Sequence, residues 1–398
     1  MIRLSYTILV LSSLLIIGCS DDSDLASSPG SSNIGISADS FADGASVSEG
    51  TTESSGTREE EAGLITAGEW NDLDNWDFWT DIIGQGDHAD KPGYWTVFPS
   101  RRISVHVAGN FGPMVDAELR LVHNGNTVWT NRTDNFGNAE LWVNPFEEGR
   151  TSDLSEYSLI INDRPAQIDL KYYEEGINEI VTDDTGLRST RVDLSFIVDA
   201  TGSMGDELEF LKQDLEDVIN KVQTENNSLV IETSSVFYRD EGDEYVVRQS
   251  DFSSNLNTTI DFIRGQEANG GGDFPEAVHS ALETAIENLR WSENARTRIA
   301  FLLLDAPPHH NMEVILDLQE SIRRAAEHGI KVIPITASGI DKDTEFLMRF
   351  FSVLTNSTYV FITNDSGIGN FHIEPTVGDY EVEFLNDLMV RLITKYSA

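Results

Sequence analysis

The stretch LSFIVDATGSM, residues 194–204, decides the fold of the larger part of the chain. It begins with a mostly apolar run that is typical of a buried strand. Asp199 and two hydroxyl residues, Thr201 and Ser203, follow at alternate positions, and Gly202 between them allows a sharp turn. We therefore expect the chain to leave a strand here, turn into a helix and bring three oxygen-bearing side chains together.

An alternation of strands and helices continues from this stretch to the C-terminus. Buried strands are predicted at 229–231, 299–304, 332–335 and 359–362, and a polar edge strand at 244–249. Helices are predicted between and after them, at 206–222, 275–288, 312–328, 344–354 and 380–395. Strands joined through helices pair in parallel and need cover on both faces. Residues 191–398 are therefore predicted to be an α/β domain with a doubly wound, mostly parallel sheet.

A second aspartate ends another strong strand. Asp305 follows the apolar run at 299–304, as Asp199 follows the run at 194–198. In the doubly wound strand order these two strands are neighbours across the switch point, and ligands bind in the crevice beyond their carboxyl ends. Spacing and topology thus predict one pocket that contains both aspartates.

The order Asp199-x-Thr201-x-Ser203, followed by Met204, resembles the metal-ion-dependent adhesion site of von Willebrand factor A domains, in the form found in a bacterial branch. The resemblance implies that Asp199, Thr201, Ser203 and Asp305 hold one divalent metal ion. Hard oxygen ligands favour Mg²⁺, with Ca²⁺ or Mn²⁺ as alternatives. It also implies that a carboxylate of a protein partner completes the metal shell.

The glycine-rich loop at 269–277 would approach the same pocket. In related domains a threonine of this loop binds the metal, but here Gly272 stands in its place and Asp273 follows. Asp273 is predicted either to bind the ion or to cap a helix that starts at Pro275, where an aspartate before a first-turn proline is favourable. The two roles are compatible.

Four residues are predicted at the rim of the pocket. Arg239 and Asp240 follow the second strand of this domain, and His309 and His310 come shortly after Asp305. They could contact a partner. An Arg–Asp pair that only fixes a loop, and loop histidines without a ligand, are the simpler interpretations.

The sequence favours a binding module over an enzyme. Thr201 stands where haloacid-dehalogenase phosphatases need a second aspartate, and the glycine-rich loop carries Asp273 where a phosphate loop would meet its anion. Two alternatives stay open. One is an extracytoplasmic metal-dependent hydrolase, and the other is a structural subunit of an envelope machine.

The segment upstream, 63–186, has a β pattern. Alternating apolar residues predict strands at 103–107, 117–122 and 139–143, separated by turn sequences, as in a small β-sandwich. Residues 113–119 and 133–139 resemble carboxypeptidase-regulatory-like and Ig-like modules, which implies a non-catalytic spacer. A linker is expected near 182–186. Four tryptophans at 70, 76, 79 and 95 are predicted to pack in a core rather than to bind sugar.

The N-terminus predicts a lipid anchor. An apolar stretch ends at Gly18-Cys19, which resembles the lipobox of bacterial lipoproteins and implies cleavage before Cys19, acylation of Cys19 and a location in the bacterial cell envelope, at the outer membrane. Residues 20–62 are rich in Ser, Gly and acidic residues and are predicted to be a disordered tether. The net charge of −41 excludes nucleic acid as an expected partner.

Acylation is testable in cells that are fed a labelled fatty acid. The wild-type protein should incorporate the label and partition into the detergent phase, because Cys19 is the only cysteine of the chain and the predicted acylation site. Cys19→Ser should lose both properties. An unlabelled wild-type protein would refute the lipid anchor.

Overall fold

The computed structural model describes residues 62–149, 152–186, 189–225 and 227–398. The predicted signal peptide, Cys19 and nearly all of the predicted tether lie outside these residues. The described residues belong to one compact unit. Within it, none of the helices has both the length and the apolarity that a membrane crossing requires.

Strands and helices are numbered in chain order. The strands are β1 (Thr66–Trp70), β2 (Arg102–Gly109), β3 (Gly112–Pro113), β4 (Glu118–His123), β5 (Asn126–Arg132), β6 (Asn138–Trp142), β7 (Tyr157–Ile161), β8 (Arg164–Pro165), β9 (Asn178–Val181), β10 (Arg191–Asp199), β11 (Val230–Tyr238), β12 (Val247–Ser253), β13 (Thr297–Leu304), β14 (Ile330–Thr336), β15 (Tyr359–Ile362) and β16 (Val382–Phe384). The helices are α1 (Trp76–Gly84), α2 (Lys91–Trp95), α3 (Gly205–Glu225), α4 (Leu256–Arg264), α5 (Val278–Glu283), α6 (Met312–His328), α7 (Lys342–Leu354) and α8 (Leu385–Ser397).

The large sheet has eight strands in the order β12-β11-β10-β13-β14-β15-β1-β16. Strands β11, β10, β13, β14 and β15 are parallel, and β12 pairs antiparallel at the edge. The chain moves from β10 to β11 on one side and to β13 on the other, so the switch point lies at β10. The predicted doubly wound α/β fold is confirmed.

Both faces of this sheet are covered, which explains why its central strands are buried along nearly their whole length. Alternate residues of β10 serve different cores. Leu194, Phe196 and Val198 pack with side chains of α3, α4 and α8. Ile197 packs on the opposite face, in the core that α5, α6 and α7 share with the upstream strands.

Side-chain caps fix the starts of two helices on this second face. The Asn311 carboxamide accepts a hydrogen bond from the Val314 N–H at 3.1 Å, and α6 begins there. The Asp341 carboxylate accepts one from the Thr344 N–H at 2.8 Å at the start of α7. Gly329 ends α6 with a φ of +67°, a conformation that glycine adopts without a steric cost.

The position of strand β1 differs from the position that the sequence predicted for these residues. The sequence grouped 66–70 with the upstream β pattern, but β1 lies in the large sheet, antiparallel to both β15 and β16. Strand pairing over such a distance depends on contacts that the local pattern of a five-residue strand does not contain. The large sheet therefore includes chain from before and after the upstream β region.

The upstream β region has two four-stranded sheets. One contains β3, β2 and β6 in this order with β9 also paired to β2, and the other has the order β5-β4-β7-β8. Residues of both sheets, among them Val105, Leu121 and Leu159, are buried in the same core. The strands predicted at 103–107, 117–122 and 139–143 are confirmed within one or two residues.

The four upstream tryptophans are buried, as expected of core residues. Trp79 is fully buried and stacks on Phe346 of α7, with ring centroids 5.6 Å apart. Beside this pair, the Arg349 guanidinium donates to both carboxylate oxygens of Asp72. Neither side chain of this ion pair is exposed to solvent, and Glu345 lies next to it. A buried ion pair thus joins the N-terminal segment to α7.

Removal of the charge at Asp72 should destabilise the whole unit. Asp72→Asn removes one of the two carboxylates that balance the buried Arg349 guanidinium, the other being Glu345. We expect a loss of about 3 kcal/mol in the free energy of unfolding. Chemical denaturation measures it. The control is Asp74→Asn, since Asp74 is exposed, and it should change stability by less than about 0.5 kcal/mol. Equal effects of the two substitutions would contradict this role.

Candidate metal centre

The two predicted aspartates lie at the same edge of the large sheet. Asp199 is the last residue of β10, and Asp305 directly follows β13. These strands are parallel neighbours, with Val198 opposite Leu303. The predicted adjacency of the two strand ends is confirmed.

The loop after β10 brings its oxygen atoms together. One carboxylate oxygen of Asp199 accepts hydrogen bonds from the Thr201 N–H at 2.8 Å and from the Thr201 hydroxyl at 2.7 Å. The Thr201 hydroxyl lies 3.2 Å from that of Ser203. The other oxygen of Asp199 is buried and has no hydrogen-bond partner. The Ser203 hydroxyl also acts on the Asp305 carboxyl group, whose pKa it lowers. The Oδ1 atom of Asp305 is buried without a hydrogen-bond partner as well.

The glycine-rich loop lies directly against this turn. The Gly202 N–H donates to the Gly270 carbonyl at 3.0 Å. Gly270 and Gly271 have φ values of +78° and +69°, and a Cβ at Gly270 would lie 2.3 Å from an Asp243 carboxylate oxygen. Asp243 accepts the Gly271 N–H at 2.9 Å. Only glycine fits at Gly270, and Asp243 holds the loop in place.

Asp273 does not take the helix-capping role that the sequence offered as one of its two interpretations. Helix α5 begins at Val278, with Ala277 in the capping position and without a side-chain cap. The predicted start at Pro275 is therefore three residues too early. Asp273 itself is exposed, unlike Asp199 and Asp305.

Glu276 is the principal residue that the sequence analysis missed. Its side chain is 2% exposed, and its Oε2 atom is buried without a hydrogen-bond partner. Its carboxylate is repelled by the charges of four neighbouring aspartates, Asp199, Asp240, Asp305 and Asp243. The available clue was a fourth acidic residue near the pocket, one position after Pro275.

Burial without countercharge raises the pKa values of these carboxyl groups. The pKa of Asp199 is raised to about 6 by burial, against which the hydrogen bonds from Thr201 act. Burial, and then the charge of Asp199, raise the pKa of Asp305 to about 7. Burial and the neighbouring carboxylates raise the pKa of Glu276 to about 9. The site is thus a buried pocket of mutually repelling acids.

Two further buried groups border the pocket. Tyr238 is the last residue of β11. Burial and the charges of Asp199, Asp305 and Glu276 raise the pKa of its phenol well above the ordinary value. Glu207, in the first turn of α3, accepts the Ser338 N–H at 3.2 Å and lies 3.5 Å from the His372 Nε2 atom. Its charge contributes to the raised pKa of Asp305.

The predicted rim residues have partners within the protein. The Arg239 guanidinium donates to the carbonyls of Ala200 and Glu267, so it fixes the loops. The His309 Nε2 atom lies 2.7 Å from the Asp240 carboxylate.

His310 contacts the upstream segment. Its ring stacks on that of Tyr94 with centroids 3.8 Å apart, and its Nε2 atom lies 2.9 Å from the Tyr94 carbonyl. Like the other three rim residues, His310 therefore has a structural role in the fold.

The residues of the pocket fit a divalent cation. Hard oxygen donors predominate, and buried carboxylate oxygens of Asp199 and Asp305 lack partners. In the part of the chain that the structure describes, no group of three or more His, Cys, Asp or Glu side chains is placed to hold a metal ion. The donor set of the pocket instead combines carboxylates with the hydroxyls of Thr201 and Ser203.

Comparisons with known proteins address the α/β part of the chain. Residues 193–367 match the family model of the von Willebrand factor A domain. A putative ariadne-like RING finger protein of Acanthamoeba polyphaga mimivirus is 35% identical over 119 residues, which cover 30% of this chain and 11% of that protein. The alpha-protein kinase vwkA of Dictyostelium discoideum is 34% identical over 120 residues, 30% of this chain and 19% of the kinase. The chain thus spans less than a fifth of the length of either relative.

Two solved structures from Bacteroides species are also similar to this chain. The conserved hypothetical protein BatB of Bacteroides thetaiotaomicron has 13% identity and a TM-score of 0.37, over 52% of this chain and 98% of its own. An aerotolerance-related membrane protein of Bacteroides fragilis has 12% identity and a TM-score of 0.35, over 51% and 99%. The match to the von Willebrand factor A domain model, over residues 193–367, spans β11 to β15 and most of β10.

Proposed function

We propose that the von Willebrand factor A domain of this protein binds one divalent cation at the carboxyl edge of its sheet and uses it to hold a protein partner. Asp199, Thr201, Ser203 and Asp305 would hold the ion, and the exposed Asp273 would lie at the rim. The single observation that carries the proposal is the pair of buried, unpartnered oxygens on Asp199 and Asp305. A cation would supply the countercharge that the pocket lacks.

The surroundings of the pocket support a protein as the partner. Three large apolar side chains are exposed on the segments that follow the strands of this sheet: Phe274 is 48% exposed, Met312 at the start of α6 60% and Phe371 76%. A protein that covers them would bury apolar area beside the ion. We propose that this partner also supplies an oxygen ligand to the ion, namely a carboxylate. Domains of this family generally mediate protein–protein interaction, which supports binding rather than catalysis as the role.

We also propose a place for this function. The lipobox resemblance at Gly18-Cys19 supports a lipid anchor in the bacterial cell envelope, at the outer membrane. The acidic segment at 20–62 would then be a tether, and the upstream β sheets a spacer between the tether and the α/β domain. In this arrangement the lipid is the protein's contact with the membrane, and the metal edge faces the partner.

Loss of Asp199 should abolish both metal binding and partner capture. In a pull-down from cell envelope, the wild-type protein should retain a partner with Mg²⁺ or Ca²⁺ and release it with a chelator. A hundredfold excess of metal over the dissociation constant should stabilise the wild type by about 2.7 kcal/mol. Asp199→Ala should lose both effects.

The control for this experiment is Asp251→Ala, because Asp251 is exposed on the edge strand β12. It should retain metal-dependent stability and partner capture. If Asp199→Ala and Asp305→Ala both keep the full metal-dependent stabilisation, the metal site is assigned wrongly.

The raised pKa values also predict how the stability of the metal-free protein depends on pH. Asp199 and Asp305 have pKa values of about 6 and 7 in the folded protein, against 3.8 for an unperturbed aspartate. The folded state therefore binds more protons than the unfolded state between about pH 4 and 7, and the free energy of unfolding falls as the pH rises through this range.

Asp305→Asn should reduce this slope, and added metal should reduce it in the wild type. Denaturation at pH 5 and pH 8 in the presence of a chelator measures the effect. An Asp305→Asn protein with the wild-type slope would contradict the electrostatic description of the pocket.

A further inference from the structure

Phe371 is a large apolar side chain on a loop that is held in place on both sides of it. It is 76% exposed and belongs to the segment that follows β15. Before it, the Asn370 N–H donates to the Ser338 hydroxyl at 3.2 Å. After it, the His372 N–H donates to the Asn364 side-chain oxygen at 3.0 Å, and His372 is buried. The neighbours of Phe371 are thus fixed, while its own ring lies in solvent.

This loop is attached next to Asp305. Ser338, which holds the loop, donates its own N–H to the Glu207 carboxylate at 3.2 Å. The next residue, Gly339, lies against the main chain of Asp305, since a Cβ on Gly339 would be 3.2 Å from the Asp305 carbonyl oxygen. Phe371 is therefore connected through short contacts to the surroundings of a proposed metal ligand.

A second exposed phenylalanine is attached to the segment that follows Asp305. Phe274 is 48% exposed and belongs to the glycine-rich loop. Two residues later, the Glu276 N–H donates to the Pro307 carbonyl at 2.9 Å, and residue 276 forms an isolated parallel bridge with Pro308. An aromatic ring on a fixed main chain loses little conformational freedom when a partner covers it. Both phenylalanines are therefore suited to protein binding.

The loops at the carboxyl edge of the large sheet carry charge of almost one sign. Five of them follow parallel strands, and the glycine-rich loop bonds to the loop after β10. These six loops are residues 200–204, 239–246, 265–277, 305–311, 337–341 and 363–374. They contain eleven acidic residues, one arginine and no lysine, whereas the whole chain has 68 acidic and 27 basic residues. The acidic excess is thus much stronger at this edge than in the chain as a whole.

The few basic groups at this edge are already engaged within the protein. Arg239 is buried and donates to the carbonyls of Ala200 and Glu267. Lys342, at the start of α7, pairs with the buried Glu345. Six of the acidic side chains are exposed, namely Glu241, Glu244, Glu267, Asp273, Asp365 and Glu374. A surface of this composition attracts a positively charged partner and repels a negatively charged one.

We propose that the carboxyl edge of the large sheet binds a positively charged polypeptide segment, with Phe371 and Phe274 as its apolar contacts. The inference rests on the proposed function, because the same segment would bring the carboxylate that reaches the ion. The partner segment therefore carries one acidic residue among basic residues, together with a large apolar side chain. Its basic residues lie against the exposed acids of the six loops, and its apolar side chain buries the ring of Phe371.

Selection from a random peptide library displayed on phage tests the charge and apolarity of the partner. The bait is the purified protein in MgCl₂ or CaCl₂. The enriched peptides should carry net positive charge and at least one large apolar residue. Enrichment of neutral or acidic peptides would overturn the proposal, as would the absence of enrichment over a surface without the protein.

The affinity of one enriched peptide, measured by fluorescence anisotropy, tests the apolar contact. Phe371→Ser should weaken binding about tenfold or more, and it should keep the wild-type melting temperature because the ring is exposed. The control is Phe111→Ser, since Phe111 is 72% exposed in the turn between β2 and β3 of the upstream region. This control should stay within about twofold of the wild type. Wild-type affinity in Phe371→Ser would overturn the proposal.

A charge variant tests the electrostatic part with the same peptide. Asp273→Asn combined with Asp365→Asn should weaken binding about threefold or more and reduce its dependence on salt. Asp251→Asn, on the edge strand β12, should change neither property. Equal losses in the charge variant and this control would overturn the proposal. Peptide binding that a chelator does not change would refute the metal-dependent function and leave this surface in place, whereas metal-dependent binding of peptides without basic residues refutes only this inference.

Discussion

Repulsion among buried carboxylates at one edge of the large sheet is the constraint that the rest of the site depends on. Parallel pairing of β10 with β13 brings Asp199 and Asp305 to the same edge, and the main chain around Pro307 adds Glu276. Other carboxylates are the main charges acting on each of these groups. The fold maintains this arrangement against its electrostatic cost, which supports the proposed binding of a cation here.

The frame that holds the carboxylates extends beyond the α/β domain. The buried Asp72–Arg349 pair joins an upstream segment to α7, and a second buried pair, Asp116 with Arg298 on β13, joins another to the large sheet. Tyr94 stacks on His310, in the loop that follows Asp305. The upstream region is thus in contact with the frame and with the loop next to the site. A rigid support of this kind would keep the oxygens of the proposed metal site in position before an ion binds.

Much of the fold and part of the site could be predicted from local sequence. Apolar runs such as 299–304 identify strands, and the α/β alternation identifies the strand order that places Asp199 near Asp305. Pairing of β1 with β15 and β16 could not be predicted, because it joins residues that lie between 289 and 318 positions apart along the chain. Glu276 was missed because the path of the loop is set by two glycines with positive φ and by one hydrogen bond to Pro307.

Anomalous diffraction from crystals of the protein soaked in Mn²⁺ tests the central claim most directly. Mn²⁺ shares the preference of Ca²⁺ and Mg²⁺ for oxygen ligands and can be located by its own scattering. The account predicts one strong peak at the carboxyl edge of the large sheet, about 2.0–2.6 Å from oxygens of Asp199 and Asp305. A saturating soak that leaves this edge without a peak, or a peak bound by Asp273 and away from the buried carboxylates, would contradict it.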